Sequence, residues 1–137
     1  MGTERTVALG SGGGPAGLMA AETLGRAGQR VLLAEAMPTP GRKFLMAGKS
    51  GLNLTKSEDP ASFRAGFGAA ADWMGPALDA FGPEAVQDWA RALGQEVFTG
   101  TTGRVFPVAM KASPLLRAWA ARLAGLVDEM VLLARHD

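Results

Sequence analysis

Gly12, Gly14 and Gly17 stand at G-x-G-x-x-G spacing within "GSGGGPAG", after a short segment, Arg5 to Leu9, whose Val7 and Leu9 suggest a buried strand. These residue types at this spacing suit the binding of a pyrophosphate. The first glycine permits a tight turn, the second lets backbone approach the phosphates, and the third lets a helix pack closely on a strand. Pro15, Ala16 and Gly17 open a run to Ala27 in which Leu18, Ala21 and Leu24 fall at helical spacing. The unpaired amides and positive dipole end of that helix then face the same anion. "RVLLAEA", Arg30 to Ala36, reads as a second apolar strand, and Glu35 near its end lies roughly twenty residues beyond the glycines. A carboxylate there can accept both hydroxyl hydrogens of an adenosine ribose. Strand, glycine turn, helix and strand make one βαβ unit with a dinucleotide site. Gly10 and Ser11 interrupt the apolar strand where it should be continuous, but the Pro15-Ala16-Gly17 ending and the spacing to Glu35 favour the register that starts at Gly12.

A second stretch, "KFLMAGKSGLNLT", contains Gly48-Lys49-Ser50, the closing tripeptide of a nucleotide-triphosphate P-loop. The P-loop pattern G-x-x-x-x-G-K-[ST] requires a glycine where Lys43 stands, and Gly41 lies too far back. ATP hydrolysis is therefore not the expected chemistry, and Lys49 needs no role in it.

Composition narrows the remaining classes. With 137 residues, 47% of them hydrophobic and 20% charged, the chain can bury the core of a globular domain. A formal charge of +1, with Lys and Arg scattered, gives no basis for a nucleic-acid partner. The absence of cysteine removes disulfides, thiolate metal sites and dithiol relays, and the single His136 offers no imidazole catalyst. No metal site is expected, and redox chemistry would have to come from a cofactor. The start of the chain lacks a signal-peptide pattern, and Leu115 to Ala134 carries Arg117, Arg122, Asp128 and Glu129, too polar for a bilayer. The expectation is a cytoplasmic protein with a small-molecule substrate and neither membrane nor nucleic-acid partner.

The elements that must support the site follow from spacing. "MPTPGRK" reads as an irregular connection. Trp73, Met74, Ala77, Leu78 and Phe81 fit one helix face, and Val86, Trp89, Ala90 and Leu93 fit a second helix. "EVFTGTTGRVFP" reads as a hairpin around Gly-Thr-Thr-Gly. Ser113 and Pro114 resemble an N-cap and first helical residue, followed by a stripe of Leu116, Trp119, Leu123, Leu126 and Met130. These stripes, and with them Trp73, Trp89 and Phe98, are expected to be core. The fold class is α/β: a Rossmann-like βαβ unit followed by helices and a short hairpin.

The order and wording of "GGGPAGLMAAE", "GRKFLMAGKSGLNLTKSE" and "GRVFPVAMKASPLLRAW" resemble a family of bacterial flavoproteins, the NAD(P)/FAD-dependent oxidoreductases also called aminoacetone oxidase family FAD-binding enzymes. The resemblance covers about Val7 to Leu123, and the second motif carries most of its specificity. It implies an incomplete two-dinucleotide-binding-domain FAD fold, with FAD as cofactor and NAD(P)H as a candidate co-substrate. Matching positions place Gly41, Arg42 and Lys43, and then Gly48, Ser50, Gly51, Asn53 and Thr55, along FAD. The residue types agree: small residues leave amides open to phosphate or flavin oxygens, Arg42 and Lys43 offset pyrophosphate charge, and Ser50, Asn53 and Thr55 supply short hydrogen-bonding groups.

Members of that family run roughly two to three times longer, as a full FAD fold with a substrate region requires. The wording after Leu123, "AGLVDEMVLLARHD", departs from theirs. The expectation is an N-terminal fragment: an FAD-binding βαβ unit and flavin loop over 1–57, then a helical segment with hairpin over 58–137, with the later strands and the C-terminal part of the family fold missing. The expected function is hydride transfer between NAD(P)H or an organic substrate and FAD, by a chain that alone is inactive. No catalytic acid or base is identifiable. An NAD(P)-dependent dehydrogenase without flavin and an inactive remnant remain as alternatives.

Overall fold

The structure, a computed structural model, describes residues 7–47 and 49–132. Gly48, His136 and the strand start at Arg5 lie outside the described residues. Strand β1 (Val7–Ser11), helix α1 (Pro15–Arg26) and strand β2 (Arg30–Glu35) form the expected βαβ unit. β1 and β2 pair in parallel, with Leu9 opposite Leu32 and Ser11 opposite Ala34. β1 continues through Gly10 and Ser11, so the turn begins at Gly12.

Two compact units divide the chain: residues 1–47 with 116–137, and residues 48–115. The sequence places a division at 57/58; the structure instead returns the end of the chain to the first unit. That return is the main departure from expectation. Helix α6 (Ala112–Ala124) stops before Gly125, and strand β6 (Glu129–Leu132) pairs in parallel with β2, Leu32 opposite Glu129 and Ala34 opposite Val131. The sheet order is β1-β2-β6, with β2 in the middle. Leu126 and Met130 thus lie beyond the helix to which their spacing assigned them. Asp128 sets the strand start: its carboxylate accepts the Val31 N–H at 2.9 Å, and its own N–H donates to the Val31 carbonyl at 3.1 Å. Ser113 lies inside the first turn of α6 rather than capping it.

In this first unit Leu18 and Ala21 of α1, Val31 and Leu33 of β2, and Trp119 and Leu123 of α6 are buried together as the core. Val31, Leu33 and Glu35 alternate onto one buried face of β2, as the two-residue period of a strand requires. Leu9, whose partner Leu32 lies on the other face, is 70% exposed. A buried ion pair, Arg122 Nη1 to Glu22 Oε1 at 3.0 Å, ties α6 to α1. The connection after β2 is not irregular throughout: residues 42–47 form a short helix, α2 (Arg42–Ala47), whose Phe44 ring meets Trp119 edge-on at a centroid distance of 6.0 Å.

The second unit holds β3 (Thr55–Lys56), α3 (Pro60–Ala65), a 3₁₀ turn (Gly68–Ala70), α4 (Ala71–Ala80), α5 (Pro83–Ala92), β4 (Val97–Thr99) and β5 (Arg104–Pro107). Its strands make an antiparallel sheet in the order β3-β5-β4, and the Gly-Thr-Thr-Gly hairpin forms as read. Leu52, Ala90, Leu93, Val105, Ala112 and Leu115 are its buried residues. Four expected core positions of this unit differ: Ala77 and Phe81 are exposed, and so are Trp73 and Phe98. Trp73 is 80% exposed, because α4 turns Gly75 inward against the Arg64 guanidinium, which also donates to the Ala71 carbonyl at 3.1 Å. Phe98 is 43% exposed and stacks on Phe106 instead of entering the core.

Candidate functional site

The turn after β1 is built by hydrogen bonds that only this glycine run allows. Gly12 takes φ +99°, left-handed backbone that disfavours any side chain, and donates its N–H to the Ala34 carbonyl at 2.7 Å. Gly14 is the N-cap of α1, with φ −76° and ψ 179°, and Pro15 occupies the first helical position, where its missing N–H costs nothing. A Cβ on Gly14 would meet nothing within 4 Å. One on Gly17 would lie 3.0 Å from the carbonyl carbon of Gly12 and nearer still to its oxygen, so this third glycine sets how closely α1 approaches the turn. Ala16 is exposed in the first turn of α1, whose amides have no intrahelical acceptor.

Glu35 closes β2 with its carboxylate held at both oxygens. Oε2 accepts the Gly13 N–H, and Oε1 accepts the Met37 N–H at 2.9 Å. Donation from Met37, then from Gly13, holds the carboxyl below its ordinary value of 4.5 against the opposing effect of desolvation. The side chain is an anion at neutral pH, fixed in direction, and each oxygen keeps a further lone pair for an incoming hydroxyl.

These groups line one open cleft of ≈ 250 Å³, formed by Gly12, Gly13, Gly14, Glu35 and the segment from Met37 through Thr39 to Gly41, Arg42 and Lys43. Its volume is below the roughly 300 Å³ at which pockets that enclose a whole drug-sized ligand begin. Gly41, at φ +73°, turns the chain into α2 and donates to the Gly13 carbonyl at 2.7 Å. Arg42 and Lys43 then stand exposed at the mouth of the cleft. Glycine backbone, one oriented carboxylate and two cations make a surface for a diol joined to an anionic phosphate.

Of the residues named from sequence, Gly12, Gly14, Glu35, Gly41, Arg42 and Lys43 meet in this cleft, with Pro15, Ala16 and Gly17 in the helix that begins beside it. Ser50, Gly51, Asn53 and Thr55 belong to the second unit. There Gly51 takes φ +127° beside Met110, and the Leu52 N–H donates to the Met110 carbonyl at 2.8 Å. With its amide nitrogen turned inward, Asn53 donates to the carbonyls of Thr55 at 2.8 Å and Val105 at 3.3 Å, and so supports the β3–β5 pairing. Ser50 is exposed and Thr55 pairs with Val105. Sequence reasoning missed Gly13, Met37 and Thr39. A signal existed for the first: the fingerprint needs two of the three consecutive glycines Gly12, Gly13 and Gly14, and leaves the middle one unexplained. Among the described residues, no group of three or more His, Asp or Glu side chains is placed to hold a metal ion, and no helix is long and apolar enough to cross a membrane.

A parallel β-α-β start with a glycine turn, an N-terminal helix dipole and an acidic residue at the end of the second strand defines a Rossmann-type α/β domain. The chain belongs to the HI0933-like Rossmann-domain family, whose model matches residues 6–133. The match runs past Leu123, where the resemblance read from wording stopped, and takes in β6. Among solved structures the fold is similar to that of THI4 from Thermovibrio ammonificans, with 20% sequence identity and a TM-score of 0.53 over 94% of this chain. This chain spans 38% of the length of that one. No curated protein matches it.

Proposed function

We propose that this domain binds the ADP half of FAD and forms the cofactor-binding part of a flavin-dependent oxidoreductase. The observation that carries the reading is the Glu35 carboxylate, oriented by two backbone amides at the rim of a glycine-walled cleft. A ribose diol is complementary to that arrangement, because its two hydroxyls donate to two fixed oxygens. The adjoining diphosphate would lie along the amides at the start of α1, with Arg42 and Lys43 offsetting its charge. Bound FAD supplies the hydride-accepting chemistry, while the chain's residues bind and orient it. NAD(P)H or an organic substrate is the proposed hydride donor. The assignment to aminoacetone oxidase-type enzymes, and the roles of Gly48, Ser50, Gly51, Asn53 and Thr55 along the flavin, rest on the sequence resemblance. Membership of a Rossmann-domain family agrees with the cofactor class.

Calorimetric titration with FAD, ADP and FMN tests the reading. FAD and ADP should bind, FMN should not displace them, and Glu35→Gln should weaken both by about tenfold or more by turning one acceptor into a donor. Binding of FMN in place of ADP, or equal affinities in Glu35→Gln, would refute it.

A further inference from the structure

We propose that Gly13 is a positioning residue that aims the Glu35 carboxylate at the ribose and so selects a ribose with a free 2′-hydroxyl; this rests on the ADP-binding reading above. The fingerprint assigns tasks to its three named glycines and leaves the position between the first two open. The structure closes that position on every side. Gly13 is buried, and all three of its directions are used. Its N–H donates to Glu35 Oε2, its carbonyl accepts the Gly41 N–H at 2.7 Å, and the space a side chain would take is closed. A Cβ there would lie 2.7 Å from Glu35 Oε2, 3.0 Å from Pro40 Cβ and 3.3 Å from Pro40 Cα. At neighbouring Gly12 and Gly14, by contrast, a Cβ meets nothing within 4 Å.

The easiest of those atoms to move is the carboxylate oxygen, since Pro40 is a ring on a turn bonded through Gly41. Any side chain at position 13 therefore swings Glu35 off the Gly13 amide. Its two oxygens then no longer present a matched pair of acceptors to a diol. Discrimination follows from the same placement. A carboxylate held against the ribose repels a 2′-phosphate, whereas a displaced one loses both the attraction for the 2′-hydroxyl and the repulsion of the phosphate.

The test compares ADP with adenosine 2′,5′-bisphosphate on the wild-type chain, Gly13→Ala, Glu35→Gln and the double variant, with circular dichroism confirming the fold of each. Gly13→Ala should weaken ADP about tenfold, narrow the preference for ADP over the 2′-phosphorylated ligand, and add little to the loss already present in Glu35→Gln. A merely structural role would weaken both ligands alike. Amide hydrogen exchange gives a readout without ligand and without substituting Gly13: its N–H should be protected in the wild-type chain and exposed in Glu35→Ala, which leaves it no side-chain acceptor. Additive losses, an unchanged ligand preference in Gly13→Ala, or equal exchange at Gly13 in both proteins would overturn the proposal while leaving ADP binding standing. Failure of the wild-type chain to bind ADP would overturn the ADP reading and this proposal together.

Discussion

Replacing Gly17 and Gly14 by alanine, one at a time, should separate a glycine needed for packing from one needed for ligand approach. The new Cβ at position 17 would lie 3.0 Å from the Gly12 carbonyl carbon, with the oxygen closer still. A tolerable carbon–oxygen approach is about 3.3 Å. Both Gly12 atoms are backbone, so relief requires α1 to move away from the turn and from Val31 and Leu33 beneath it. Overpacking of this kind costs about 1–3 kcal/mol, and a backbone obstacle puts Gly17→Ala at the upper end. For a domain of this size, about 3 kcal/mol lowers the melting temperature by roughly 10 °C. Gly14→Ala meets nothing within 4 Å at an ordinary φ of −76°, and should cost no more than about 1 kcal/mol as a poorer N-cap. Its Cβ would instead stand where a pyrophosphate must approach, so ADP affinity should fall while the melt hardly moves. Thermal melts of the ligand-free variants, beside ADP titrations, read both effects. A Gly17→Ala protein melting within about 2 °C of the parent, or a Gly14→Ala protein destabilised as much as Gly17→Ala, would refute the division of roles.

Other expectations concern charge. Glu22→Ala leaves Arg122 without its 3.0 Å partner in a site where the two side chains are 7% and 18% exposed, and should cost about 3 kcal/mol in urea unfolding. Glu22→Leu combined with Arg122→Leu should recover most of that loss, because no uncompensated charge remains. For Glu35 the folded-state pKa is depressed by the Met37 and Gly13 amides. Its contribution to stability is therefore complete above the ordinary value of 4.5 and is lost as pH falls through the lower folded value. Melting temperatures measured from neutral to acid pH should fall more steeply for the wild-type chain than for Glu35→Gln, and parallel curves would count against the two hydrogen bonds.

What could be read from sequence was the chemistry that local backbone geometry enforces. Gly12 must be glycine because its φ is positive, Gly17 because a helix presses on the turn, and both constraints leave a spacing visible in the chain. Glu35 was legible because a strand's period and length fix where it ends. The return of β6 was not legible. Leu126 and Met130 continue the spacing of Leu116, Trp119 and Leu123, and only the hydrogen bonds of Asp128 to Val31, far away in sequence, show that the helix has ended. Trp73 misled for a related reason: spacing gathers residues on one face without saying which face turns inward, and Gly75 against Arg64 decided that. Gly13 was hidden by the fingerprint itself, which explains its neighbours and calls it free.

The insertion of residues 48–115 between β2 and the rest of the parallel sheet imposes an order on synthesis. A chain leaving the ribosome delivers β1, α1 and β2 first, then a contiguous unit that can collapse on contacts of its own, and α6 with β6 last. Until Glu129 reaches Leu32, the middle strand has one free edge, and Val31 and Leu33 lack Trp119 and Leu123 as cover. Closing so long a loop costs only slightly more than closing a short one, so the delay is set by translation rather than by chain entropy. The glycine turn and its cleft, bonded wholly within residues 12–43, are thus complete in sequence well before the sheet beneath them gains its third strand, and the newborn domain holds a finished turn on an unfinished support.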